Sequence, residues 1–548
     1  MGGVCMEKAK LWGALAAAIT LQSFILYYQL HYGILVGLIP WDDCAIVLRG
    51  LENLDKFAQA HSLWQLLGAA RHLDIHAPVS DIQGIVGLLL TGGRIWGPYA
   101  LNVTCLCIAI YALWTTAALK NPIVFSASIL FLLVQPITFS ALAELKSDWQ
   151  GGILLATALL VLFDAAEENN NYGRTFGAAL LGLMLVTKMT AFYLPVLALG
   201  VFLVFEFYGA LKYEAGNDAL NFSRATWKGA LARLGGSVHL RTICVALILI
   251  PYLLFFYHSR GDLLSYIRAA LGPLWADGLT ITERLLYYSP FDGKGAAWGG
   301  LHFMFLIFLA AGLIAAFLNR AWLHVLACIV ILPIPAAFLA PLALAHTSYI
   351  AFGAPFFGTI MGGTLIFLRI FVANTPSWGA LVAPIIVLAL SLPGTLPLSP
   401  PRDLSGTPIG RAELERFQSI YDDMVGMIVR REASASPKVV FTFELFVAPY
   451  PNLSIRYFQR TGRFLLVERI DDLADHDAAF MLANADFMVT ITPTGEARTI
   501  PNLPESFPTS ADPALGDARV RESGRYGLIA SYQVQGGEIR LYQAETPQ

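Results

Sequence analysis

Residues 11–43 read LWGALAAAITLQSFILYYQLHYGILVGLIPWDD, a run with no charged side chain as far as Pro40, followed at once by Trp41-Asp42-Asp43. In a bilayer the backbone polar groups must be satisfied within the segment, and about 20 apolar residues suffice to cross the hydrocarbon. The run is long enough, and MGGVCMEKAK ahead of it supplies two lysines. A cleaved secretory signal has an apolar core of only about 7–15 residues, so the segment reads as a retained signal anchor. The paired acids then fall at the water–lipid boundary.

Composition extends that reading to most of the chain. Of 548 residues, 56% are apolar and 14% charged, against about 25% charged in an ordinary globular domain. Mean hydropathy is +0.60. The charge is uneven: 35 of the 75 Asp, Glu, Lys and Arg residues lie after Leu398. We therefore divide the chain into a polytopic membrane domain, 1–397, and a soluble domain, 398–548. Cysteines occur only at 5, 44, 105, 107, 244 and 328. No spacing among them suggests a disulfide framework or a zinc site. Nothing in the composition points to nucleic acid.

Apolar windows near 11–38, 98–119, 122–142, 150–164, 175–189, 191–208, 240–257, 299–318, 322–343, 347–368 and 379–396 are candidate spans. The stretch 82–92 is too short to cross and reads as a helix lying in the interface. Lys and Arg concentrate on the cytoplasmic side of membrane proteins. A cytoplasmic N-terminus places Lys120, Arg174, Lys212, Arg224, Lys228, Arg233, Arg320 and Arg369 inside. Segments 40–97, 143–149 and 258–298 and the soluble domain then share the far side.

Those far-side segments carry the chemistry. Residues 42–58 mix Ile46, Leu48, Leu51, Leu54 and Phe57 with Arg49, Glu52, Asp55 and Lys56, the pattern of an interfacial helix. Asp42 and Asp43 open its first turn, where the helix dipole favours a carboxylate; an Asp there also serves as a plain N-cap. His76 precedes Ala77-Pro78, Glu144-Leu145-Lys146-Ser147-Asp148 forms the next turn, and Lys188 interrupts an apolar stretch. Ionisable groups at membrane depth are costly and are functional candidates by default. The loop 258–298 adds His258, Arg260, Arg268 and Arg284 and is long enough to cover a site.

The order of these elements resembles the GT-C fold glycosyltransferases that use polyprenyl-phosphate sugars. Closest in pattern are the protein O-mannosyltransferases, the lipid A aminoarabinose transferases and related lipopolysaccharide-sugar transferases. Their first anchor ends in an acidic pair, here Asp42-Asp43. A His-Pro-Pro or Lys-Pro-Pro element follows, here His76-Ala77-Pro78 before GIVGLLL. Arg-x-Asp opens a later span, here Lys146-Ser147-Asp148, and Leu-Thr-Lys closes a Gly-rich helix, here Thr187-Lys188 after GLMLV. The resemblance covers about 1–210. Ala77 in place of Pro, Asn102 near a family Arg and Asp43 in place of Glu depart from the pattern.

The resemblance implies an all-α polytopic membrane domain of about 11 transmembrane helices, with interfacial helices in the first external loop, plus a small C-terminal α/β soluble domain. It also implies a membrane glycosyltransferase taking a sugar from a polyprenyl-phosphate donor to an acceptor hydroxyl on a glycan, lipid or protein, outside the bacterial inner membrane. Asp42 becomes the expected general base and Asp43 its support, with inversion at the anomeric carbon. His76, Lys146 and Lys188 are expected on the donor phosphate, with Asp148 and Glu144 supporting them. His258, Arg260, Arg268 and Arg284 are expected at the acceptor or lid. No cofactor is implied, although two acids beside a phosphate could share a divalent metal. The competing readings are a flippase or transporter for lipid-linked sugars, which calls for repeats and broken helices, and a lipid-dependent ligase. In the soluble domain, 411–431 reads as a helix, KVVFTF, FLLVE and ADFMVTIT as strands, and YGLIASYQV with EIRLYQ as a closing hairpin. It has no phosphate-cradling Gly loop.

Overall fold

The computed structural model describes residues 2–39, 41–59, 78–115, 122–145, 147–187, 194–215, 223–236, 238–270, 301–334, 349–376, 410–431, 437–443, 449–470, 476–493, 513–534 and 537–545, with isolated positions between them. They form two compact units. One takes in Met1–Ile25, Leu73–Ser80 and Tyr99–Pro397, the other Leu26–His72, Asp81–Pro98 and Leu398–Gln548.

The first unit is helical. Its axis is Ser147–Glu168, buried throughout from Trp149 to Ala166. The ILLATALLVLF run combines strong helix formers with apolar side chains on every face, so neighbours must surround it. They do: Asn171–Thr187, Leu194–Ala215, Val103–Leu113 and Tyr349–Ala373 all pack on it. The last of these comes in backbone to backbone. A Cβ on Gly358 would lie 2.4 Å from Gly152 O, and one on Gly362 would lie 3.0 Å from Ala156 Cα.

Among the described residues, Lys8–His31, Trp149–Glu168, Leu194–Ala215 and Val238–Tyr257 are long and apolar enough to cross a membrane. Shorter apolar helices stand at the other windows, except 379–396, which lies outside the described stretches but for isolated positions. Only 22% of the Lys8–His31 window and 17% of the Val238–Tyr257 window are buried. Faces carrying Trp12, Phe24, Ile243 and Leu254 thus stand open, as lipid-facing surfaces do.

Three expectations need correction. The span at 122–142 is two helices, Pro122–Val134 and Pro136–Ala143. Pro136 has no N–H to continue the ladder, and Gln135 O instead accepts from Thr138 N and Phe139 N. The span at 240–257 continues as one helix from Val238 to Ala270, so the far-side segment expected as loop from 258 begins helical. The basic connection 209–239 is helical at both ends. Leu194–Ala215 runs into it, and Arg224–Gly236 packs back through Ala230 onto Ala210 and Leu211.

The second unit contains a five-stranded sheet. Its strands are β1 Lys438–Phe441, β2 Leu466–Arg469, β3 Phe487–Pro493, β4 Tyr526–Val534 and β5 Gly537–Ala544, in the order β2-β1-β3-β5-β4. The first three are parallel and the closing hairpin is antiparallel. Alternation sorts the side chains onto two faces. Val439, Phe441, Val489, Ile491, Ile539 and Leu541 meet Leu414, Phe417, Tyr421, Met424 and Ile428 of the helix Arg411–Arg431. Val440, Met488 and Tyr542 meet Val520 and Ala485 on the opposite face. Two helices not foreseen from the sequence, Pro451–Thr461 and Pro513–Glu522, complete the layers. Val36 and Leu38, which precede the acidic pair, belong to the first of these cores.

Candidate active site

The acids open a helix as expected. Trp41–Ala58 starts one residue before Asp42. Asp43 is 2% exposed and lies on the same face as the buried Cys44, Val47 and Leu51. The Asp42 side chain lies outside the described residues. Further along the helix, Arg49 Nε meets Asp81 Oδ1 at 3.2 Å, and Asp81 is fully buried. That ion pair ties Trp41–Ala58 to the helix Pro78–Leu90, which begins on Pro78 of the His-Ala-Pro element. Proline suits a first helical position, where no N–H bond is lost. Burial raises the Glu52 carboxyl above its usual range, against the pull of Lys56 and Arg49.

In the first unit, the segment 142–145 is held by a buried amide. Asn102 Nδ2 donates to Leu142 O and Glu144 O, both at 3.0 Å, and its Oδ1 accepts from Gln150 Nε2 at 3.0 Å. Asn102 is 1% exposed. The residue that departs from the family pattern therefore helps to hold the backbone at Leu142 and Glu144, as does Gln22, whose Nε2 donates to Leu142 O at 3.2 Å. Glu144 is half-buried, and Ser147 begins the central helix with Asp148 in its first turn. Lys146, His76, Lys188 and Arg284 lie outside the described residues, as do the side chains of Asp148, His258, Arg260 and Arg268. Lys188 directly follows Thr187, the buried end of Asn171–Thr187. His258, Arg260 and Arg268 ride on Val238–Ala270.

The sequence reading missed a set of buried acids. Glu167 Oε1 meets Lys212 Nζ and His324 Nε2, each at 2.7 Å, and accepts from Tyr208 OH at 3.1 Å. Asp164 pairs with Arg369 at 3.3 Å. Glu206 holds Arg174 at 2.7 Å and Arg241 at 3.0 Å. The Glu206 cluster borders a cavity of about 350 Å3 that Asn169, Asn171 and Arg233 also line. Each acid is neutralised by a cation, so the cluster reads as helix fastening. Acids inside apolar segments were the available signal, but the partners stand 32 to 205 residues away. Among the described residues no group of three or more His, Cys, Asp and Glu could hold a metal.

Residues 76–213 match the family model described as dolichyl-phosphate-mannose-protein mannosyltransferase. Apo ArnT from Cupriavidus metallidurans has a similar structure, with TM-score 0.53 and 11% identity over 96% of this chain and 98% of that one. The chain shares the fold of ArnT. A second ArnT structure from the same organism, bound to undecaprenyl phosphate, gives TM-score 0.52 at 10% identity, again over 96% and 98% of the two chains. AglB from Archaeoglobus fulgidus, in complex with an inhibitory peptide and a dolichol-phosphate, gives 0.47 at 12% identity over 97% of this chain and 74% of that one. No curated protein matches. The stretch that matches the family model begins at His76 and contains Glu144, Lys146, Asp148 and Lys188; the acidic pair lies before it.

Proposed function

We propose that this multi-pass membrane enzyme transfers a sugar from a polyprenyl-phosphate donor to a hydroxyl of a glycan, lipid or protein acceptor, with Asp42 as general base. The acidic first turn of Trp41–Ala58 carries the reading: it sets two successive carboxylates at a helix N-terminus, directly after an anchor helix. A polyprenyl-phosphate donor is supported by the undecaprenyl phosphate bound to ArnT and by the dolichyl phosphate in the family description.

The acceptor O–H gives its proton to Asp42 as its oxygen forms a bond to the anomeric carbon. The bond from that carbon to the phosphate oxygen breaks, and the polyprenyl phosphate leaves with the electron pair. Direct displacement inverts the anomeric centre. Charge developing on the phosphate calls for cations in a site of reduced dielectric, the role proposed for His76, Lys146 and Lys188. Glu144 and Asp148 orient those cations, and Asp43 supports the acidic turn. His258, Arg260, Arg268 and Arg284 serve the acceptor. We place the reaction on the extracytoplasmic face of the bacterial inner membrane, with the N-terminus cytoplasmic and residues 398–548 outside. The basic residues assigned inside support that orientation; of these, Arg174 pairs with Glu206, Lys212 with Glu167 and Arg369 with Asp164.

A positioned general base contributes about 10²–10⁴ in rate. Asp42→Asn in the full-length protein should therefore lose at least about a hundredfold in transfer from undecaprenyl-phosphate-linked hexoses. Full turnover by a folded Asp42→Asn protein would sink the base assignment. Asp43→Asn should keep a larger share of the rate; if it alone is inactive, the base is Asp43.

A further inference from the structure

We infer that Asn452 is a positioning residue for the acidic turn, through a paired hydrogen bond to the backbone of Ile39. Ile39 N donates to Asn452 Oδ1 at 3.0 Å, and Asn452 Nδ2 donates to Ile39 O at 2.7 Å. A primary amide is the side chain that presents a donor and an acceptor side by side, matched to the N–H and C=O of one residue. Asn452 and Ile39 are 2% and 1% exposed, so water does not compete for either bond. Asn452 lies inside the first turn of Pro451–Thr461. A polar side chain at a helix start ordinarily caps its own N–H groups; this one makes its two shorter bonds to a segment 413 residues away, beside a longer one from Nδ2 to Pro449 O at 3.3 Å.

The grip is not isolated. Val36 and Leu38 are built into the core of the sheet and the helix Arg411–Arg431. A Cβ on Gly37 would lie 2.7 Å from Leu414 O, so the segment passes against that helix where only glycine fits. Pro451–Thr461 itself packs on Trp41–Ala58. The last residue gripped stands three positions before Asp42. The C-terminal domain thus holds both the entry to the acidic helix and the helix body, and Asn452 makes the polar link. This assignment rests on the proposed role of Asp42 for its catalytic consequence, and on geometry alone for the hold.

Cys44 gives a readout independent of turnover, because it is buried in the same first turn. The full-length protein is treated with a maleimide, and labelling is quantified peptide by peptide, with the half-buried Cys107 as internal control. Asn452→Ala should raise Cys44 labelling at least fivefold with Cys107 unchanged. It should lower kcat with undecaprenyl-phosphate-linked hexoses at least tenfold and leave KM for the donor within threefold. Asn452→Asp keeps an acceptor for Ile39 N–H and should fall between the two; it carries the comparison if Asn452→Ala is not recovered folded. Cys44 labelling at the wild-type rate, or kcat within twofold of wild type, overturns the inference, and a loss of folded yield alone also counts against it. Asp42→Asn run alongside separates the claims. An active Asp42→Asn with a slow Asn452→Ala sinks the base and spares Asn452, whereas an inactive Asp42→Asn with a fully active Asn452→Ala does the reverse.

Discussion

Asp517 is almost wholly buried yet accepts from Thr490 Oγ1 at 2.7 Å, Tyr542 OH at 2.9 Å, Arg540 at 2.7 Å and Arg521 at 3.0 Å. Burial by itself would raise its carboxyl. The two hydroxyl bonds and the two guanidinium charges outweigh it and hold the group below the usual carboxylate range. A carboxylate depressed in the folded state stabilises above its unfolded pKa, near 3.9, and loses that contribution as pH falls through the lower folded value. Peptides of β3 and β5 in the full-length protein should therefore keep their hydrogen-exchange protection to below pH 4, whereas Asp517→Ala should cost about 2–3 kcal/mol at neutral pH. Protection lost well above pH 4 in the wild type would contradict this. Asp42-Asp43 was legible from local sequence because its meaning is its position at a helix start. Asn102, Asn452 and Asp517 were not, because the groups that define their roles, Arg521 apart, lie 23 to 413 residues away.

Hydropathy windows located the helices but not where helices end. An apolar window reports the length of chain that lipid tolerates, whereas a helix continues until a residue stops it. Val238–Ala270 continues past the apolar window into HSRGDLLSYIRAA, and even Pro251 within the helix does not end it. Pro136 does stop one, and an unbroken apolar window became two helices. Close packing was equally invisible. Gly362 sits on Ala156 and Leu159 of the central helix, so Gly362→Val must push two helices apart. Overpacking of this kind costs about 1–3 kcal/mol. The expected outcome is a lower unfolding temperature in detergent, with Gly13→Val, where a Cβ meets nothing within 4 Å, close to wild type. Equal melting of the two variants would show that the contact carries no strain.

At the scale of the molecule, three of the charges expected inside, Arg174, Lys212 and Arg369, pair with buried acids of the first unit, and the acidic helix belongs with the sheet domain in the second. Orientation is directly testable. A reporter active only outside the cytoplasm should work when fused after Gln548 and fail when inserted at Gly236; the opposite pattern would invert every side assigned above. Composition and the run up to Asp43 determined the class of this protein. A bilayer requires backbone bonds to close within each segment and expels charge, and both demands are written locally in the chain. The small α/β domain was likewise legible, because strand alternation and helical period are local. The tertiary structure decided which distant groups meet: Asn452 with Ile39, Asn102 with the segment 142–145, Glu206 with two arginines. Those contacts depend on packing across long loops, and no period in a sequence encodes the partner of a single buried amide or carboxylate.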